Sequence, residues 1–445
     1  MVSFSATECY VKLRDDTIKM VDPLSTAGIV VRVNTQRSKR PLRTDKDSDE
    51  PLGEWKKCHF CTGNEYQTPP EKGRVVLRDG EFISLDRLPP EDALFRENWE
   101  FRRIPNLFEI IGLENWTENY DFRPSKRNAE WKGRYLPTPT GRAHCLGGDL
   151  GSKGTTKGVL SAKLGEALPG MPEEAKVAAL DPFFFGTHEL IIARRHYKDG
   201  ATKKGDRASS GELTPDEHFA YMKSAIEAVE DIYKHNRYVR FVNVFQNWLA
   251  AAGASADHLH KQLVGNDEWG GIISDYSHLS IGDPNVFNAM GVNLHAHHNL
   301  VFAENEHAIA YAAIGKINPA VVVFSKSRRC RPMELEDKEL RGFSDVLHAC
   351  HAAMGSSLPC NEEWLYMPRD SNYKFPFHTQ VEWRVSLPAG LEYLSRIYIS
   401  LLGPEDVKYR MLQELGRLRD GKRIAGGISI GEECPADPNC LQYIA

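Results

Sequence analysis

Residues 253–262 read Gly253-Ala254-Ser255-Ala256-Asp257-His258-Leu259-His260-Lys261-Gln262, and the fold follows from how this stretch is read. In an extended strand, side chains two residues apart share a side, so His258, His260 and Gln262 point the same way. Gly253 and Ser255 add backbone and hydroxyl donors suited to an anion. A neutral imidazole is a good nucleophile toward phosphorus, because its adduct is reactive enough to be passed on. Gln262 would then hold a phosphate oxygen. A bare His-x-His is more often a polar strand whose histidines pair with neighbours, but the surrounding GxSxxHxHxQ pattern favours a nucleophile, His260.

Working outward, Tyr238–Phe245 alternates as a strand and leads into Asn247 and a loop over Ala250–Asp257. Leu213-Thr214-Pro215-Asp216-Glu217 is a helix start, with Thr214 as N-cap, Pro215 at the first helical position and acids in the first turn. The helix should run to about Tyr233. Glu189–Ala193 is apolar and short enough for a buried strand, and Val75–Leu77 and Phe101–Ile104 read as short strands. Downstream the order recurs: a strand at Val321–Ser325, a helix from Glu334-Leu335-Glu336-Asp337 to about Ala353, then strands at Trp364–Met367 and Phe377–Arg384. This predicts an α+β fold of two similar halves, residues 1–270 and 271–445, each an antiparallel sheet with a long helix. The Gly-, Pro-, Lys- and Thr-rich stretch 112–181 reads as an insertion in the first half, and 35–54 as a loop.

Cys58-His59-Phe60-Cys61 alone can be a redox pair, half of a tetrahedral metal site or a coincidence; it precedes a Gly/Asn/Pro turn and lacks the strand-to-helix setting of a redox pair, which favours the metal. The other two ligands must come from elsewhere. His258 and His196 are the candidates, with His188 as the alternative fourth ligand. His295-Ala296-His297-His298 has no acids or cysteines nearby and reads as a polar strand or loop with solvated histidines, while Cys434 and Cys440 read as free thiols.

A length of 445 residues suits two or three domains, or one fold built twice. A net charge of -5 argues against a non-specific nucleic-acid binder. No apolar run approaches the roughly 18–20 residues of a membrane span. The opening MVSFSATECYVKLRDD has neither the basic n-region nor the apolar h-region of a secretory signal. Nine cysteines, an odd count with most of them isolated, fit a reducing cytoplasm.

The ordered set Cys58-x-x-Cys61-x-Gly63-Asn64-Glu65, Pro69-Pro70-Glu71, Arg103-x-Pro105-Asn106, Gly186-Thr187-His188-Glu189 and Gly253-x-Ser255-x-x-His258-x-His260-x-Gln262 resembles galactose-1-phosphate uridylyltransferase, of the histidine-triad superfamily. Pro388-Ala389-Gly390-Leu391-Glu392, followed by Ile397-Tyr398-Ile399, resembles that family's second half. The resemblance implies histidine-triad-like halves and a nucleotidylated His260, with Gln262 and Ser255 on the phosphates. It implies Asn106, Asn247 and Gly253 near the nucleotide, Glu392 and Tyr398 at the sugar, and a zinc ion on Cys58, Cys61, His196 and His258. The implied ligands are a nucleotide sugar and a sugar 1-phosphate, with neither nucleic acid nor membrane, and a homodimer is compatible with it. Leu259 and Lys261 replace the Pro and Gly of the bacterial enzyme, Leu107 replaces a polar residue near the ribose, and Tyr398 replaces a glutamine that reads the hexose. Specificity is therefore expected to depart from uracil and galactose. In the second half, His378-Thr379-Gln380 takes the place of a His-x-His. Two other functions stand beside this one: a diadenosine tetraphosphate phosphorylase or adenylyltransferase with phosphate as acceptor, and a non-catalytic nucleotide-binding protein.

Overall fold

Short apolar runs bounded by turns become strands, and in the computed structural model twelve of them share one sheet. The structure describes residues 8–33, 42, 49–52, 57–96 and 98–444, so most of the loop expected over 35–54 lies outside the described residues. In chain order the strands are β1 (Gly73–Arg78), β2 (Glu81–Asp86), β3 (Phe101–Pro105), β4 (His188–Ala193), β5 (Phe241–Trp248) and β6 (His260–Asn266). They continue as β7 (Val301–Glu304), β8 (Ala308–Ala312), β9 (Ala320–Ser325), β10 (Cys360–Leu365), β11 (His378–Trp383) and β12 (Ser429–Ile430). Their order across the sheet is β12-β7-β8-β9-β11-β10-β5-β6-β4-β3-β1-β2, with antiparallel neighbours throughout. Read outward from the central pair β5–β10, one side runs β5, β6, β4, β3 and the other β10, β11, β9, β8. A long helix precedes each central strand: α1 (Pro215–His235) before β5 and α2 (Asp337–Met354) before β10.

The start of α1 is the one its sequence encodes. Thr214 Oγ1 accepts from the Glu217 amide and the Glu217 carboxylate accepts from the Thr214 amide, a complete capping box. Its buried face lays Tyr221 against Phe101 of β3, ring centres 5.1 Å apart. Two expected strands shift. Tyr238–Arg240 lie before β5, and the strand expected at Trp364–Met367 begins instead at Cys360, because the buried face of β10 includes a charged residue, Glu362.

His295 also departs from expectation. Leu294–His297 is a short helix, and the His295 ring is buried 3.8 Å from Tyr311. Its Nδ1 donates to the Gly291 carbonyl and its Nε2 accepts from the Ile314 amide, so the ring is a satisfied core group.

The insertion is a set of short helices, among them Leu113–Tyr120, Lys126–Tyr135 and Pro139–Leu146, that bury Trp116, Trp131 and Tyr135 in the main core. His144 ties it to the Pro69-Pro70 turn: Nε2 donates to the Thr68 carbonyl while Nδ1 accepts from the Tyr135 hydroxyl, each at 2.8 Å. A separate small sheet joins Tyr10–Lys12, Ile18–Val21 and Val30–Val33 to Ile397–Ser400, so residues 10–33 pack on the part of the molecule formed by the later strands.

Candidate functional site

β6 lies between β5 and β4, with His260 opposite Ile192 and Gln262 opposite Leu190. His260 and Gln262 open together onto a cavity of about 600 Å³. Asn106 and Leu107, at the end of β3, form one wall, Ser255 and Ala256 a second, and Phe60 and Tyr66 a third. The insertion closes the remaining side with Thr156, Lys157, Gly158, Val159 and Ser161.

The hydrogen bonds of His260 fix its tautomer. Nδ1 lies 2.7 Å from the His258 carbonyl, which can only accept, so Nδ1 carries the proton and Nε2 keeps its lone pair. The ring is 4% exposed, and burial holds its pKa below the ordinary histidine range. A reaction that uses the bare Nε2 of the neutral ring should run fully above that lowered pKa and be lost only as pH falls through it. Any covalent labelling at His260 Nε2 is therefore expected to keep most of its rate at about pH 6.5, where a free imidazole is half protonated. A half-maximal rate at or above that pH would contradict this.

Gln262 is oriented by a residue that the sequence offered only as a metal ligand. His188 Nδ1 accepts from the Ile110 amide at 3.2 Å, so its Nε2 carries the proton and donates to Gln262 Oε1, also at 3.2 Å. The glutamine amide nitrogen is then free to donate to a phosphate oxygen. Asn106 packs against the same ring, its Nδ2 3.1 Å from His188 Nε2.

The Cys58-x-x-Cys61 turn lies beneath Phe60, with His258 and His196 completing a cluster whose ligand atoms all fall within 4.8 Å of one another. Cys58 Sγ is 3.6 Å from Cys61 Sγ and 3.4 Å from His258 Nδ1, and Cys61 Sγ is 3.4 Å from His196 Nδ1. A tetrahedral ion with sulfur at ~2.3 Å and nitrogen at ~2.0 Å spaces its donors roughly 3.3–3.8 Å apart, so the group fits a metal. His258 Nε2 donates to the Ala193 carbonyl at 2.6 Å, the outer contact expected of a ligating histidine. Hydrogen bonds, that from Cys61 foremost, hold the Cys58 thiol well below its ordinary range. His188 is on the cavity side with Gln262 and is no part of this cluster.

The other expected residues lie elsewhere in the chain. Asn247 Oδ1 accepts from Asn361 Nδ2, and Gly253 turns the loop with a left-handed φ of 85°; neither lines the cavity. Glu392 caps its own short helix by accepting from the Ala389 amide, and Tyr398 belongs to the small sheet. Lys261, between the two outward-facing residues of β6, points to the opposite side of the sheet. It is fully buried in an ion pair with Glu362, whose other oxygen accepts from His351 Nε2, and the rings of Tyr221 and Trp364 flank the ammonium. Burial alone would raise the Glu362 carboxyl, but Lys261 and His351 hold it below the usual range.

His378 of β11 occupies the counterpart of His260, since Gln380 pairs with Glu363 as Gln262 pairs with Phe245. There the space is filled. His378 stacks on Phe324 at 4.3 Å, and Tyr276, His295, Tyr311 and the Lys316–Asp22 ion pair surround a void of about 10 Å³, room for one water.

No curated protein matches the chain. Among solved structures, an ADP-glucose phosphorylase from Arabidopsis thaliana with bound ADP-glucose superposes with a TM-score of 0.55 at 18% identity, covering 89% of this chain and 97% of that one. A GalT-like protein from Arabidopsis thaliana gives 0.54 at 17% identity, covering 88% and 97%. The chain thus shares the α+β fold of these two proteins. The family model described as a domain of unknown function, DUF4921, matches residues 13–443, and the chain belongs to that family.

Proposed function

We propose that this protein is a nucleotidyltransferase that moves a nucleoside monophosphate from a nucleotide sugar to a sugar 1-phosphate by way of a covalent adduct on His260. The observation that carries this reading is the neutral His260 ring, anchored at Nδ1 and facing a cavity beside Gln262. Nε2 attacks the α-phosphorus, a P–N bond forms, and the P–O bond to the departing sugar 1-phosphate breaks. The oxygen of a second sugar 1-phosphate then reverses the step and restores the ring. The Gln262 amide and the Ser255 hydroxyl donate to the phosphate oxygens, where preorganised donors stabilise developing charge. Residues 1–270 serve as the catalytic half and 271–445 as its structural partner, in a cytoplasmic enzyme. No helix among the described residues is long and apolar enough to cross a membrane. Incubation with a panel of nucleotide sugars and dinucleoside polyphosphates, followed by intact-mass measurement, tests the proposal. A covalent nucleotide is expected, and no added mass with any donor would refute it.

Inorganic phosphate as acceptor is the second reading. It is favoured by the position of Glu392 and Tyr398, which leaves the cavity of a single chain without those hexose-reading residues. The ADP-glucose phosphorylase is named for such a reaction. Release of a nucleoside diphosphate from the adduct on adding phosphate alone would select it.

Cys58, Cys61, His196 and His258 would hold zinc, which would brace the loop that aims His260 and touch no substrate. Elemental analysis of protein prepared without added metal is expected to find about one zinc per chain. A Cys58→Ser, Cys61→Ser double variant should lose it; unchanged zinc content would overturn the assignment.

Leu107 lines the cavity in place of a polar partner for the ribose. UDP-sugars are therefore expected to exceed ADP- and GDP-sugars in kcat/KM by less than about a hundredfold, roughly 2.7 kcal/mol. A larger preference would contradict the role given to Leu107.

A further inference from the structure

Both substrates of the proposed transfer carry phosphate, and moving phosphate from water into a cavity is costly unless a charge partner meets it. Much of the wall is apolar: Phe60, Ile104, Leu107, Val159 and Leu190 all face in. Among the described residues lining it there is no aspartate, glutamate or arginine, and a single lysine, Lys157. Gln262, Ser255 and Asn106 can donate hydrogen bonds but bring no charge, and His260 acts as a neutral ring.

Lys157 comes from the insertion and lines the same cavity as His260 and Gln262 of β6. Its backbone is held from both sides by glycines. Gly147 and Gly158 have φ of 101° and 78°, and a Cβ on Gly158 would sit 2.3 Å from the Gly147 nitrogen, so only glycine permits this backbone-to-backbone approach. The Gly148–Asp149 and Thr155–Thr156 strands pair just before it. The side chain itself is exposed at the rim and makes no ion pair with an acid among the described residues. The other lysine of this loop, Lys153, instead donates to the Gly63 carbonyl at 3.2 Å, on the Cys58-x-x-Cys61 turn. One lysine thus docks the insertion onto the scaffold, and the other overhangs the cavity.

We propose that Lys157 is the phosphate-binding cation of this site, pairing with the diphosphate of the bound nucleotide opposite His260, and that the insertion is thereby a working wall of the active site. This rests on the nucleotidyl-transfer reading, but it is tested by binding alone. Inorganic pyrophosphate is titrated calorimetrically into full-length wild type, Lys157→Gln and Lys157→Arg. Pyrophosphate affinity is expected to fall about tenfold in Lys157→Gln. It should stay within about threefold of wild type in Lys157→Arg, which keeps the charge, and the wild-type affinity should weaken with added salt. Equal affinity in wild type and Lys157→Gln, or no pyrophosphate binding by wild type, would overturn the assignment. Intact-mass labelling by nucleotide sugars is run in parallel. A wild type that labels, with pyrophosphate affinity unaltered by Lys157→Gln, keeps the transfer and removes Lys157. A wild type that never labels, yet binds pyrophosphate through Lys157, removes the transfer and keeps the lysine.

Discussion

Replacing His260 with glycine is expected to lower nucleotidyl transfer by a factor on the order of 10⁴ or more, the scale seen when a covalent nucleophile is removed. Fold and metal content should be unchanged, because His260 faces a cavity and its one polar contact among the described residues is to the His258 carbonyl. The space left should admit free imidazole, and an imidazole–nucleotide phosphoramidate should then serve as donor, bypassing the lost half-reaction. His258→Gly should behave differently. Its ring touches both cysteines and the Ala193 carbonyl, so metal and stability should go first and activity only as a consequence. Substantial transfer by His260→Gly, or a nucleotide-bearing peptide that maps to another residue, would end the proposed mechanism.

Glu362→Leu is expected to destabilise the protein by about 3–5 kcal/mol, although Glu362 is on the sheet face away from the cavity. The cause is Lys261. Its ammonium is fully buried between two aromatic rings and has Glu362 as its carboxylate, so removing the acid strands a charge in the core. His351 loses its acceptor in the same stroke. Adding Lys261→Met should recover most of the loss, since a well-packed apolar pair of similar volume is often as stable as a buried ion pair. Urea unfolding of both single variants and the double variant measures this. A Glu362→Leu variant within about 1 kcal/mol of wild type, or a double variant less stable than the single, would show that the ammonium finds another partner.

The motif around His260 was legible because His260 and Gln262 share one side of β6 at a two-residue period, whereas His258 lies before the strand and turns to the metal cluster; α1 was legible because cap, proline and first-turn acids agree. The recurrence of strand, helix and strand pointed to the sheet correctly in kind, but β10 was misplaced. Its buried face includes Glu362, and polarity at that position hides a strand whose charge is met by Lys261, 101 residues away in sequence, and by His351 of α2. The helices of the insertion were hidden for another reason. Its helices are short, and a helix of eight or ten residues that buries one or two aromatics, such as Trp116 or Trp131 with Tyr135, has too few apolar positions to show a period. The orienting role of His188 depends on which ring nitrogen carries the proton, which only the Ile110 amide reveals. Lys157 had no local signal beyond being one lysine in a glycine-rich stretch, because what distinguishes it is being the single lysine, with no arginine or acid, among the described residues that line the cavity.

The filled space beside His378 has a consequence for stoichiometry. The sheet offers two equivalent strand positions for a histidine next to its central pair, yet Asp22, Lys316 and four aromatic or imidazole rings occupy the room that a nucleotide would need at the second. A titration to saturation should therefore reach one nucleotide per polypeptide, and the mass spectrum should show a single adduct peak and no doubly labelled species however large the donor excess.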